Sequence, residues 1–176
     1  ISIKSKKEVI LESEKEVSLK GKNIKMSGSK GITATNKQIA KQNDKVMGFD
    51  THIMVIPAGT STANVPLPHP FIGQIKDKVS SDVKIGDKGV ATKGSIAKHD
   101  DSMHMQLPGT IKFQKNPKKE GEVTGGTVSK VKVNGKEVAV LGSQVTTCND
   151  MGMQNNSTIV SIGASIPMPA IINPAN

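Results

Sequence analysis

The sequence predicts an all-β protein, and three observations carry that prediction. Apolar residues alternate over short stretches and do not recur at helical spacing. The 176-residue chain is cut into short pieces by 17 glycines and 9 prolines. Two Gly-Asp or Asn-Gly turns stand between alternating strands, which is the strongest short-range hairpin signal. Hydrophobic residues are 35% of the chain but aromatic ones only 2%, with no Trp or Tyr, so a core has to be packed from Val, Ile, Leu and Met.

The first segment, residues 1–33, holds the most regular pattern. The blocks Ile1-Ser2-Ile3-Lys4-Ser5, Val9-Ile10-Leu11-Glu12-Ser13, Val17-Ser18-Leu19-Lys20-Gly21 and Ile24-Lys25-Met26-Ser27-Gly28 each place an apolar residue first and third and a small residue fifth. They begin 8, 8 and 7 residues apart, a strand-type internal repeat with a tight corner closing each block. One such ribbon cannot bury its apolar face alone and needs identical neighbours or a partner chain. These octads resemble the triple-stranded β-helix, or β-prism, at the end of phage central spikes and of the VgrG proteins of type VI secretion, in which three chains intertwine. Residues 34–46 lose the pattern and read as a polar linker, where Asn36 would cap a short helix.

The remaining residues, 47–176, read as a main domain of short hairpins. Val83-Lys84-Ile85-Gly86-Asp87-Lys88-Gly89-Val90-Ala91 matches Val131-Lys132-Val133-Asn134-Gly135-Lys136-Glu137-Val138-Ala139, and each stretch runs on to a Gly-Ser pair, Gly94-Ser95 and Gly142-Ser143. A repeated hairpin of this kind predicts internal pseudo-symmetry.

The net charge of +9 comes wholly from lysine. Base reading and bidentate phosphate gripping rely on arginine, and single-strand platforms rely on stacked aromatics. Nucleic acid is therefore excluded as the expected partner, and the lysines are read as solvated groups that keep a strand-rich body soluble. No signal peptide, membrane-spanning run or lipidation motif is visible, and a chain opening on Ile1 reads as a fragment.

Chemistry is concentrated in one cysteine, Cys148, and four histidines, His52, His69, His99 and His104. A lone thiol has no disulfide partner within the chain, and one Cys with three His is a full tetrahedral set for zinc. The order of motifs is His52, then Pro66-Leu67-Pro68-His69-Pro70-Phe71, then the first hairpin, His104 before Pro108-Gly109-Thr110, the second hairpin, and Thr146-Thr147-Cys148-Asn149-Asp150. It resembles the PAAR-like family over most of residues 47–172, although the Pro-Ala-Ala-Arg tetrapeptide is absent and Pro57-Ala58-Gly59 is a partial echo.

That resemblance implies a small cone held near its point by a structural zinc, with His52, His69, His104 and Cys148 as ligands and His99 as the competitor for the third place. It also implies a spike tip that caps a VgrG-type, trimeric β-helix, carries effector proteins and pierces a target membrane. Such a tip is assembled in the bacterial cytoplasm and delivered outside or into a target cell. It is not an enzyme. The rival classes are a zinc hydrolase, which would keep an open metal position and a nearby acid, and an adhesin or carbohydrate-binding module, which would expose aromatic rings.

Overall fold

The computed structural model describes residues 2–5, 9–11, 17–19, 24–28, 32–99, 104–148 and 156–160. Every named element among them is a β-strand, so the protein is all-β, as the alternation predicts.

Five short strands open the chain: β1 (Ser2–Ser5), β2 (Val9–Leu11), β3 (Val17–Leu19), β4 (Ile24–Gly28) and β5 (Ile32–Ala34). β1 lies parallel to β4 with Ser2 opposite Lys25, and β2 lies parallel to β5 with Val9 opposite Ile32. The chain therefore returns to the same side every 23 residues, after three octad blocks, and coils into a three-sided prism. β9 (Val83–Ile85) continues the first side, parallel to β4, and β14 (Val128–Val133) continues the third, parallel to β3. The neighbours that the octad ribbon needs come, in this structure, from its own chain.

Each side ends in a hairpin. Two were visible in the sequence: β9 with β10 (Lys88–Gly89), and β14 with β15 (Lys136–Val138). The third, β5 with β6 (Lys37–Gln38), lies across the start of the stretch expected to be a linker. Residues 34–46 hold the end of β5, β6 and the start of β7 (Lys45–Ala58), and no helix forms at Asn36, which sits in the turn. Thr35 and Asn36 take φ of 52° and 59°, the left-handed pair that a two-residue hairpin turn requires; Asn134 and Gly135 do the same at 52° and 82°. Lys37, Lys88 and Lys136 occupy equivalent exposed places on these outer strands, where a lysine discourages pairing with another chain.

Immediately after the hairpins the three copies lock together. The Ala40 N–H donates to the Ala139 carbonyl at 2.9 Å, the Ala139 N–H to Ala91 at 3.0 Å, and the Ala91 N–H to Ala40 at 2.9 Å. All three alanines are buried, and the bridges Ile39–Val140, Lys41–Val90 and Thr92–Val138 repeat the same cyclic closure. Each copy then turns a corner at a left-handed residue, Asn43, Gly94 or Gly142. The next side chain accepts the N–H three residues back: Asp44 from Lys41 at 3.0 Å, Ser95 from Thr92 at 2.9 Å and Ser143 from Val140 at 2.9 Å.

Beyond the corners lies an antiparallel barrel. β7, β8 (Ser61–Asp77), β11 (Ile96–His99), β13 (Glu120–Gly125), β16 (Gln144–Thr147) and β17 (Asn156–Val160) pair in the cyclic order β7-β17-β16-β13-β11-β8, and β8 pairs back onto β7. β12 (Lys112–Phe113) adds to the far half of β7. Two cores result. The prism is filled by residues such as Met26, Ile32, Val83, Val131 and Val138, and the barrel by Val46, Phe71, Ile75, Val123 and Val145. The three ring alanines belong to the barrel side.

Candidate metal centre

β7 and β8 form a hairpin of fourteen consecutive residue pairs, from Lys45–Gln74 to Ala58–Ser61. Strand alternation puts Asp50, His52 and Met54 of β7 on its inner face, and likewise His69, Phe71 and Ile75 of β8; all six are buried. Pro66, Pro68 and Pro70 take the intervening, outward places on β8. Proline has no N–H, and the ladder to β7 is unbroken there, so the prolines fall where the strand would otherwise point donors away from β7. This edge offers no N–H groups over residues 66, 68 and 70 and cannot recruit another strand.

Two further strand ends complete the inner surface. β11 ends at His99, and His104 follows in the same buried region. β16 ends at Thr147, and Cys148 comes next at φ 44°, a left-handed turn that brings Thr147 and Cys148 both to the interior. The Cys148 N–H is held by the Glu120 carbonyl at 2.9 Å. With about 3.3 Å of rise per strand residue, the cluster stands on the order of 15 Å beyond the alanine ring.

Side chains of Asp50, His52, His104 and Cys148 bring one donor atom each to within 4.8 Å of one another, all buried, and this group could hold a metal ion. Cys148 Sγ lies 4.0 Å from His104 Nε2, and Asp50 Oδ2 lies 3.1 Å from the same nitrogen. Ligands about 2.0–2.3 Å from a single tetrahedral ion stand roughly 3.3–3.8 Å apart, so these spacings bracket what one ion demands. The His104 Nδ1 hydrogen-bonds to His99 Nε2, leaving Nε2 as the nitrogen that faces the thiol and the carboxylate.

Of the residues expected to be ligands, His52, His104 and Cys148 are in this group. His69 stands against it, its ring centroid 5.3 Å from His52 and 5.9 Å from His104. Its Nδ1–H donates to the Leu67 carbonyl at 3.1 Å, which leaves the lone pair on a buried Nε2 that has no hydrogen-bond partner. His99, the competitor of His104, packs edge-on to Phe71 with centroids 5.0 Å apart and hydrogen-bonds His104 Nδ1, and it is not in the four-donor group.

Asp50 is the member that sequence reasoning did not place among the ligands. The available signal was its position two residues before His52, which in a strand puts both side chains on one face. Burial pushes the Asp50 carboxyl up, but hydrogen bonds from His104, Thr147 and Cys148 and the His104 charge outweigh it, and the group stays below the ordinary carboxylate value. For His69, burial is the main cause of a value below the ordinary imidazole range; the Leu67 contact and Asp50 oppose it, and His104 adds to it.

No protein-family model matches the chain, and comparison with curated proteins and with solved structures returns no match.

Proposed function

We propose that this chain is the tip of a contractile injection spike, a structural cap of the PAAR-like kind whose barrel is locked by a structural zinc. The observation that carries the reading is the closed ring of Ala40, Ala91 and Ala139. One chain presents three equivalent hairpins, each ending one side of a three-sided prism. A single polypeptide with that internal symmetry fits the end of a three-chain β-helix, one strand column against each spike chain, and covers strand edges that would otherwise pair at random.

The donor set supports zinc. Imidazole and thiolate are borderline-soft ligands, and a closed shell of protein donors is the structural arrangement. His52, His104 and Cys148 would hold the ion with a fourth donor drawn from Asp50 or His69. When bound, zinc supplies folding free energy on the order of 10 kcal/mol in small modules, where apolar area is scarce. Among the described residues no helix is long and apolar enough to cross a bilayer.

One feature weighs against a zinc hydrolase: all four donors are buried, whereas a catalytic zinc keeps a position open to water and substrate. Sugar stacking has little to use, since of three phenylalanines only Phe49 is largely exposed.

The test is native mass spectrometry of the chain mixed with a VgrG-type trimeric spike. One copy per three spike chains is the expected result. Three copies per trimer, or no complex with a series of such spikes, would defeat the cap reading.

A further inference from the structure

We infer that the fourth ligand of this centre is Asp50, through Oδ2, and that Thr147 is the residue that presents it. The inference rests on the metal-locked reading above and specifies its shell, which then differs from the three-histidine, one-cysteine set that the resemblance implies.

Three observations converge on it. The Thr147 hydroxyl donates to Asp50 Oδ1, so one carboxylate oxygen is engaged and the other, Oδ2, is turned to His104 Nε2. A single donor oxygen aimed beside an imidazole nitrogen and a sulfur is the geometry of a monodentate ligand fixed by an outer hydrogen bond. Space has been left for this contact. Gly121 faces Thr147 across the β13–β16 pair, and a Cβ there would lie 2.6 Å from Thr147 Cγ2, so a side chain at residue 121 would drive the threonine off its acceptor.

Charge favours the same choice. Asp50 is completely buried, and a buried carboxylate is costly unless a cation compensates it. With one thiolate, one carboxylate and two imidazoles a divalent centre is neutral, and the buried carboxylate then has its compensating cation in direct contact. His69, whose ring lies beside the group but outside it, then serves as its wall, packed on Phe113 with centroids 5.2 Å apart.

The experiment is zinc(II) affinity by chelator competition, with cobalt(II) substituted for zinc to read the ligand field. In Asp50→Asn the cobalt d–d bands shift and zinc affinity falls at least a hundredfold, whereas His69→Gln leaves the band positions in place. Thr147→Val weakens zinc binding about tenfold to a hundredfold, the usual range for an outer-shell contact, and Thr147→Ser restores it. The threonine pair keeps the test alive if Asp50→Asn does not fold.

An unchanged cobalt spectrum in Asp50→Asn, or a shift in His69→Gln alone, overturns the assignment while leaving the metal lock standing. A wild-type chain that binds neither zinc nor cobalt overturns both.

Discussion

The prism and the barrel meet at one ring of alanines yet hold themselves together by opposite means. The prism is apolar inside, with Met26, Ile32, Val83, Val131 and Val138 stacked on three repeating sides. The barrel begins in the same way, around Phe71, Ile75 and Val145, but a few residues further on its interior turns polar: Asp50, His52, His69, His99, His104 and Thr147 are all buried. An apolar core is stable with nothing added. A buried cluster of acceptors and lone pairs is costly unless protons or a cation stand between its members, and the group of Asp50, His52, His104 and Cys148 could hold such an ion. The contrast teaches that one half of this molecule packs on apolar area, whereas the other gathers polar groups able to bind.

The largest effect expected from that contrast is on metal removal. Chelation, or Cys148→Ser, should expose the amides of β7, β8 and β16 to hydrogen exchange while those of β9, β14 and the alanine ring stay protected. The loss should be several kcal/mol out of the roughly 10 kcal/mol that ligation supplies in small zinc modules. Equal loss of protection in prism and barrel would mean that the two halves do not differ as described.

A smaller effect comes from pH on the stripped protein. The His69 value is held below its ordinary 6.5, so the unfolded chain binds a proton that the fold refuses. Stability is therefore lost as pH falls from about 6.5 toward the folded value, by at most about 1.4 kcal/mol per pH unit. Asp50 acts lower. Its folded value is depressed below 3.8, so its contribution is present above that pH and lost as pH falls through the folded value. Denaturant melts from pH 7 to 5 should show the His69 slope, and His69→Gln should flatten it.

The smallest effect is at the corners. Ser95→Ala and Ser143→Ala each remove a hydroxyl that accepts one N–H and donates to one carbonyl, Lys78 or Gly126, and should cost about 1 kcal/mol apiece. Near-equal losses would sharpen the equivalence of the two copies, and a wide difference would break it.

The strands of the first segment were legible in the sequence, because each octad block announces itself by alternation and a small closing residue; that their neighbours come from the same chain was not. The third hairpin of the prism was also not legible, because Thr35-Asn36 stands where the other copies have Gly86-Asp87 and Asn134-Gly135. Threonine at positive φ is unfavourable, so no local preference marks the turn; the ring and the paired strands impose it. In the barrel, His52, His104 and Cys148 were legible by residue type. Asp50 was not, since an aspartate near a histidine is common, and what separates this buried carboxylate from a surface acid is the Thr147 contact across 97 positions of sequence. The hydrogen bond between His99 and His104 was likewise not legible, since five positions separate them and the sequence between carries no strand pattern.

The alanine clasp is made wholly of main-chain atoms, with methyl groups as its only side chains. Its specification is therefore almost independent of what is attached on either side. The lobes that leave it, such as the one whose apex lies at Gly59 and Thr60, are free to lengthen, shorten or accept a grafted peptide without disturbing the hub, and an engineer seeking to load a passenger onto this molecule would begin there.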